Sequence, residues 1–446
     1  MVQKPYRSRL AGWGRFPVVE GLEWKSEDLM AITEGATLSR GLGRSYGDSS
    51  LPAGPDLPVA DTTLANRLLG FDAATGLLRA EAGVSLLQLN GVFLNRGWFV
   101  PVSPGTQFVT VGGMIASDVH GKNHHVDGCF GQHVESIKMR VADGRIVDCS
   151  DTSEPELFRA TIGGMGLTGH ILESEFRMQR IPSPWILGES ERIDNLDAMV
   201  AGLKTAARDW PMTVGWLDCI ARGDKLGRGI LMKGRWATPA EAPENSPPSK
   251  HRFRVPFEFP RIALCRASMK AFNLAYFWKH VQRTRRGIVH PETFFYPLDV
   301  LDDWNLIYGR RGFTQYQCVL PHADDNGPAR RFLELFVAAG GMGFLCVIKD
   351  CGDEGKGMLS FPRRGMSIAM DFPIHPTKTP RLIDRLNELV IAEGGRTYLT
   401  KDTFTRAEHF CAMESRLEAF NAVRRRWDPK ARIRSAQSVR LLGDRA

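Results

Sequence analysis

Nothing in this chain approaches the ~18–20 consecutive apolar residues that a membrane-crossing helix needs, so an integral helical membrane protein is not expected. Cysteine is sparse, with eight among 446 residues (positions 129, 149, 219, 265, 318, 346, 351 and 411). No Cys-x-x-Cys pair occurs, and the closest spacing is Cys346 to Cys351. That pattern argues against a disulfide scaffold or a zinc site and fits reduced thiols in a reducing compartment. Repeats of solenoid or propeller period are lacking, as are long low-complexity tracts. The charged segment Met1–Arg9 runs into no apolar stretch, so export by the general secretory route is not expected. A cytoplasmic location is the corresponding expectation.

Hydrophobic residues make up 43% and charged residues 24%, ordinary globular values that exclude wholesale disorder, collagen and coiled coil. At ~150 residues per domain the length points to two or three domains. Lysine plus arginine number 58 against 50 acids, a net charge of +8. That balance favours anionic partners without choosing among phosphates, nucleic acid and a lipid surface.

The first 180 residues read as short strands and helices joined by glycine-rich turns. Leu77–Ala82 has strand character. Ser85 and Gln88 form a capping box that opens a helix over Leu86–Leu94, and Gly97 closes it. Asp143-Gly144, between Val134–Val141 and Arg145–Cys149, signals a hairpin. Pro155 stands where a first helical residue belongs, and His170–Met178 alternates as a strand. Ile181-Pro182-Ser183-Pro184 marks a boundary, since two prolines interrupt helix and sheet alike. Beyond it, helices are expected over Leu196–Arg208, Ala329–Ala339 and Arg381–Glu393. Strands are expected over Met212–Ile220, Phe344–Lys349 and Met366–Asp371. Glu241–Ser249, with three prolines, reads as an exposed loop.

Three glycine-rich segments fall within those first 180 residues. Arg40–Asp48 reads Arg-Gly-Leu-Gly-Arg-Ser-Tyr-Gly-Asp. Its spacing is neither the Rossmann fingerprint nor a Walker loop, yet such a loop can bring N–H groups close to phosphate oxygens. By itself it is as readily a tight turn. The second segment runs from Pro104-Gly105-Thr106 through Thr110–Ala116 to Ser117-Asp118-Val119-His120-Gly121-Lys122-Asn123-His124-His125. Its histidines and lysine supply cationic or proton-handling groups. No metal is expected there, because Gly121 argues against the helix that would space ligands at i and i+4. The third segment, Gly163–Gly169, holds four glycines in seven residues. One large phosphorylated cofactor threaded among the loops accounts for all three.

Downstream, Gln315 and Gln317 face one side of an alternating strand. Lys349 ends an apolar strand, where a charge is expected only at a surface or a site. Asp371 and Tyr398–Asp402 add further polar candidates. Arg261–Arg286 carries seven Lys/Arg and no acid, interleaved with aromatic residues. It suits an anionic membrane surface, a nucleic-acid patch or a packed helix with a wet basic face.

Together, the glycine loops resemble the flavin-binding domain of the vanillyl-alcohol oxidase and p-cresol methylhydroxylase (PCMH) superfamily. Within it, Arg40–Asp48, His120-Gly121-Lys122-Asn123-His124-His125, Gln315-Tyr316-Gln317 and Lys401-Asp402 resemble the decaprenylphosphoryl-β-D-ribose 2′-oxidase family, the flavin half of the epimerase that makes an arabinose donor. The likeness runs from Gly12-Trp13-Gly14 to Asp428-Pro429. It implies an α+β flavoprotein of two domains. A PCMH-type FAD-binding domain would span 1–180, a substrate domain with an antiparallel sheet and helices 181–395, and a return to the first domain 396–446. The family's FAD contacts would fall on Arg40, Gly41, Leu42, Gly43, Arg44, Ser45, Tyr46, Gly47, Asp48, Ser49, Gly105, Thr110, Val111, Gly112, Gly113, Ser117, Asp118, Val119, His120, Ile171 and Tyr398. Some relatives bind flavin covalently through a histidine of the first loop. Arg44 stands there, so non-covalent FAD is implied. Lys401 and His120 would be the catalytic candidates, with Tyr46, Lys122, Gln315, Gln317, Lys349 and Asp371 around the substrate.

The implied reaction is FAD-dependent oxidation of C2′ of a polyprenylphosphoryl-β-D-ribose to the keto sugar. A separate NAD(P)H-dependent short-chain reductase would complete epimerisation. A membrane-borne substrate would make 261–286 a candidate for peripheral contact with the inner membrane, and nucleic acid is not expected as a partner. The alternatives are a sugar-lactone or alditol oxidase of the same superfamily and a non-catalytic polyanion-binding protein. Two departures from the family stand out. Ala369 precedes Met370-Asp371-Phe372-Pro373 where actinobacterial members carry a cysteine, and Phe295-Tyr296-Pro297 replaces Tyr-His-Pro.

Overall fold

The computed structural model describes residues 4–260, 264–343 and 345–446. Strands β1 (Tyr6–Ala11), β2 (Val18–Lys25), β3 (Leu38–Arg40) and β4 (Pro58–Asp61) form one sheet in the order β1-β2-β4-β3. A second sheet begins with β5 (Leu68–Asp72) and β6 (Leu77–Glu81). After the short β7 (Trp98–Phe99) it continues with β8 (Val134–Arg140), β9 (Ile146–Ser150) and β10 (His170–Arg177), in the order β5-β6-β10-β8-β9. The expected hairpin is β8–β9, and Gly144 takes the positive φ (93°) its turn requires. The helix Leu86–Phe93 has both arms of the Ser85/Gln88 capping box. It buries Leu86, Leu89 and Phe93 in the core these sheets share. Each such side chain contributes roughly 1.5–3 kcal/mol relative to leaving it in water.

β11 (Gln179–Arg180) pairs with β7, and the chain then crosses Ile181–Trp185 into an eight-stranded sheet. Its members begin with β12 (Ile186–Ile193), β13 (Met212–Leu217) and β14 (Gly229–Trp236). The small pair β15 (Phe253–Arg254) and β17 (Leu301–Asp302) lies outside it, flanking β16 (Thr284–Val289) in sequence. The sheet is completed by β16, β18 (Phe313–Leu320), β19 (Cys346–Cys351), β20 (Gly365–Pro373) and β21 (Arg396–Thr397). The order is β16-β12-β14-β13-β19-β20-β18-β21, and every pairing is antiparallel. This agrees with the expected α+β class.

Helices Leu196–Asp209, Gly327–Ala338 and Lys378–Ala392 occur at the expected places, with ends shifted by up to three residues. Their apolar stripes cover one face of the eight-stranded sheet through Met199, Leu203, Phe332, Phe336, Leu386 and Val390. The expected strand Met212–Ile220 stops at Leu217, and the one near Lys349 runs Cys346–Cys351. Its expected start, Phe344, lies outside the described residues. β18 and β20 are buried almost end to end. Yet β18 buries Gln315 and Gln317, whose amides cost free energy to desolvate unless they are used.

The segment Arg261–Arg286 is not one amphipathic helix. Residues 261–263 lie outside the described set, Arg266–Trp278 is helical, and Thr284 already begins edge strand β16. The returning C-terminal chain starts as β21 on the eight-stranded sheet. It then packs Phe410, Leu417, Phe420 and Leu441 against Ala160 and Met165 of the first half.

Candidate active site

A cavity of about 1300 Å³ lies between the glycine loops and the face of the eight-stranded sheet opposite those helices. Pockets for one small molecule usually span about 300–1,000 Å³. This volume therefore suits two ligands, or one large one.

The loop wall comes from backbone. Gly41, Leu42, Gly43, Arg44, Ser45, Tyr46 and Ser49 line it, with Gly105, Thr110, Gly112, Gly113, Ser117, Val119, His120, Ile171 and Tyr398. Gly43 takes φ of 62°, and a Cβ on Gly41 would meet Thr110 Oγ1 at 2.3 Å. Among the described residues, the N–H groups of Leu42, Gly43, Arg44 and Ser45 have no protein acceptor. Four consecutive unused donors make a concave anion site. The buried Ser49 hydroxyl also lacks a partner. Open donors, absent Cβ atoms and sufficient volume together fit a dinucleotide such as FAD.

Five of the expected FAD-contact residues do not line the cavity. Arg40 donates to Ala11 O and Ser50 O behind the wall. Gly47 lies where a Cβ would meet Asp402 O at 2.1 Å. Asp48 is bonded to Arg440 (2.7 and 2.8 Å), and Val111 is core. Asp118, at a positive φ of 37°, accepts from Gly131 N and Ser360 Oγ and so ties those two segments to the stretch that carries His120. The third glycine segment divides. Met165, Gly166 and Gly169 line the cavity, whereas Gly164 packs on Ala160 O and Gly163 against Leu359 and Ser360.

Facing the loops, the sheet presents side chains. Gln315, Gln317, Lys349 and Lys401 line the cavity beside His120, Lys122 and Tyr46. Lys401 reaches this place because Arg440, on the helix Ala436–Leu442, clamps Asp402 as well as Asp48. Tyr46 N also donates to Thr400 O (2.9 Å). Lys401 Nζ lies 4.0 Å from the centre of the Tyr46 ring. Asp371 is set back. It is fully buried, with Oδ1 accepting from Gln315 Nε2 and Oδ2 unpartnered, and does not line the cavity.

These cations sit in a desolvating, mutually repelling cluster. Burial pushes Lys401 down to about 7. The charge of Asp371 raises it, and Lys349 lowers it further. Lys122 is also pushed down to about 7, by burial and Lys349, and its Nζ donates to Phe295 O. Burial raises the Asp371 carboxyl well above the usual range. His120 is lowered by burial and the nearby lysines, so its imidazole is neutral at pH 7. The Gln317 amide donates to His120 Nε2 (2.9 Å) and to Ser367 Oγ (3.0 Å). That leaves the ring proton on Nδ1, which is buried without a partner. His124 and His125 turn away from the cavity. His124 Nδ1 accepts from Gly352 N, and His125 Nε2 meets Trp210 O. Among the described residues no group of three His, Cys, Asp or Glu side chains is placed to hold a metal ion.

Sequence reasoning missed several lining residues: Trp216, Val347, Met232, Asp299 and Arg252. Asp299 accepts from Gln107 N (2.8 Å), and burial raises its carboxyl to about 6. None carries a local motif: Trp216, Met232 and Val347 are brought together by strand pairing, and Asp299 and Arg252 lie on loops.

Residues 31–150 match the model of an FAD binding domain. Over 97% of this chain and 97% of its counterpart, the sequence is 34% identical to decaprenylphosphoryl-beta-D-ribose oxidase of Mycolicibacterium smegmatis. This chain belongs to that oxidase family. It is an FAD-dependent oxidoreductase, in keeping with the superfamily expected from its glycine loops. An uncharacterized protein of Streptomyces coelicolor, encoded in the mprA 5′ region, is 32% identical over 80% of this chain and all of its own length. A putative D-arabinono-1,4-lactone oxidase of Neurospora crassa is 30% identical, over 29% of this chain and 23% of its own.

Proposed function

We propose that this protein oxidises the C2′ hydroxyl of a polyprenylphosphoryl-β-D-ribose to the 2′-ketone, using non-covalently bound FAD. The carrying observation is the full-length likeness to a decaprenylphosphoryl-ribose oxidase, joined to a cavity where His120, Lys122, Lys349 and Lys401 meet an FAD-sized cradle. The likeness to the lactone oxidase covers too little of either chain to favour a free sugar lactone.

FAD supplies the two-electron acceptor for the hydride leaving C2′. The chain must take the hydroxyl proton and hold the C–H bond in line. Lys401 is the proton acceptor in this reading, because burial leaves a large fraction of its amine neutral near pH 7 and its amine lines the cavity. His120 is a donor instead: Gln317 occupies Nε2, and the buried, unpartnered Nδ1–H is left to donate to a ligand oxygen. Lys122, Lys349, Gln315 and Gln317 fix the sugar phosphate, with Tyr46 beneath Lys401. Asp371 acts through Lys401 and Gln315 rather than on substrate. Arg40, Gly47, Asp48, Val111 and Asp118 shape the cradle from behind.

Among the described residues no helix is long and apolar enough to cross a membrane. Contact with a lipid surface is proposed through the helix Arg266–Trp278 and its sequel. There Phe272, Trp278 and Val281 are exposed among Lys270, Lys279 and Arg283. Co-sedimentation with anionic but not neutral vesicles is expected, and absence from both pellets removes this contact. The keto product requires an NAD(P)H-dependent reductase as functional partner. Mass analysis of a turnover mixture tests the reaction itself. The expected product is the prenylphosphoryl sugar lighter by two hydrogens, and an unchanged lipid sugar beside an oxidised free lactone would reverse the assignment.

A further inference from the structure

The cavity does not end at the cationic chamber. It continues across the sheet, and the strand register names its floor. Gln317 of β18 pairs with Ala369 of β20, Ala369 with Val347 of β19, and Val347 with Trp216 of β13. Two residues along β13, Val214 pairs with Met232 of β14. Met232 pairs with Ser190 of β12, which pairs with Arg285 of β16. All of these line the same cavity. From β18 to β16 there are six strand spacings of ~4.8 Å, roughly 29 Å. That is far longer than a sugar phosphate needs.

The floor is apolar between polar ends. Ala369, Val347, Val214 and Met232 carry no hydrogen-bond donor. The backbone groups of these central strands are committed to the sheet ladder, so a peptide cannot add as a strand. The roof is the helix Arg266–Trp278, whose Phe272 and Tyr276 line the passage. Tyr276 packs on Trp216 with ring centres 4.6 Å apart. At the outer end Gly188 and Gly287 are register partners, and a Cβ on Gly287 would meet nothing within 4 Å. This leaves a notch in the rim of the cavity that the exposed Phe272 also lines.

Building on the substrate class proposed above, we infer that this passage is a binding channel for the isoprenoid tail. The sugar phosphate sits at the Lys349 and Lys401 end, and the tail leaves by the Gly188/Gly287 notch. The occupant is a polyisoprenyl chain because the passage is long, apolar along its floor and cationic where the phosphate of such a lipid would lie. The channel makes tail length a determinant of specificity.

The test compares prenylphosphoryl riboses bearing one, three and more isoprene units, in the wild type and in the separate variants Met232→Asp and Val214→Asp. The wild-type kcat/KM should rise by about tenfold or more from one unit to three, as successive methylenes leave water, and then level off. In either variant that length ratio should collapse toward one. A farnesyl phosphate carrying a terminal diazirine should label peptides of β12, β14 or the helix Arg266–Trp278. A flat length series with labelling elsewhere overturns the channel while the proposed reaction stands. Failure of every prenylphosphoryl ribose to react, whatever its length, overturns the reaction itself. If one aspartate variant does not fold, the other variant and the labelling pattern still decide.

Discussion

The two walls of the cavity are built on opposite principles. On the loop side the first glycine segment offers main-chain N–H donors where side chains are absent, and a Cβ on Gly41 would strike Thr110 Oγ1. On the sheet side the main chain is consumed by the ladder, and what is offered is side chains, Lys349 and Lys401 and a row of apolar residues. A backbone cradle holds a constant ligand, the cofactor, and tolerates almost no substitution. A side-chain wall sets chemistry and selectivity and can be altered one residue at a time. Substitutions in the first wall should therefore remove the cofactor, and those in the second should change the reaction while leaving the cofactor bound.

The largest effect is expected from Gly41→Val, which drives two methyl groups toward Thr110. Purified protein should carry less than about a tenth of the wild-type flavin, measured by absorbance against protein, with folded circular dichroism. Full flavin content would break the distinction between the walls. Next comes Lys401→Met on the sheet side. Loss of a positioned proton acceptor typically costs about 10²–10⁴ in rate. The variant should remain yellow and lose turnover by that factor, and near-normal turnover would exclude Lys401 from proton transfer.

Arg440→Gln probes the seam that joins the walls. It leaves Asp48 and Asp402 buried without their cation, a change that costs about 3 kcal/mol or more. Urea unfolding should register that loss, and an unchanged midpoint would show the clamp to be dispensable. The smallest effect is a shift rather than a loss. Lys401 is neutral above its pKa of about 7, so kcat/KM should rise with pH through that region and then flatten. Asp371 holds the pKa of Lys401 up, so Asp371→Asn should move the rising limb to lower pH. A limb that stays put, or moves up, would detach the two groups.

The same contrast explains what could be read from the chain. The loop wall was legible because Arg40–Asp48 and Thr110–His120 are contiguous, and glycine marks backbone approach directly. Even there the reading overreached at Gly163 and Gly164, which serve tight packing after the helix Pro155–Thr161, since the residue type does not say what approaches. Most helices and strands of the sheet were visible from periodicity, with ends off by a few residues. The sheet wall was not. Trp216 and Val347 become neighbours only through the β13–β19 pairing, and nothing local marks either as facing a cavity. The family resemblance implied Asp371 as a substrate ligand, and its depth could not be read from the chain. The structure places it behind Gln315. Arg440 lies far from any motif and was invisible until the tail folded back on the first loop.

The most direct measurement of the central claim is an anaerobic absorption titration of the purified yellow protein. One equivalent of a prenylphosphoryl-β-D-ribose with three or more isoprene units should bleach the flavin bands of the wild type completely, whereas Lys401→Met should keep its colour over the same interval. Bleaching by free ribose or a sugar lactone, with none from the prenylphosphoryl sugar, would contradict the account.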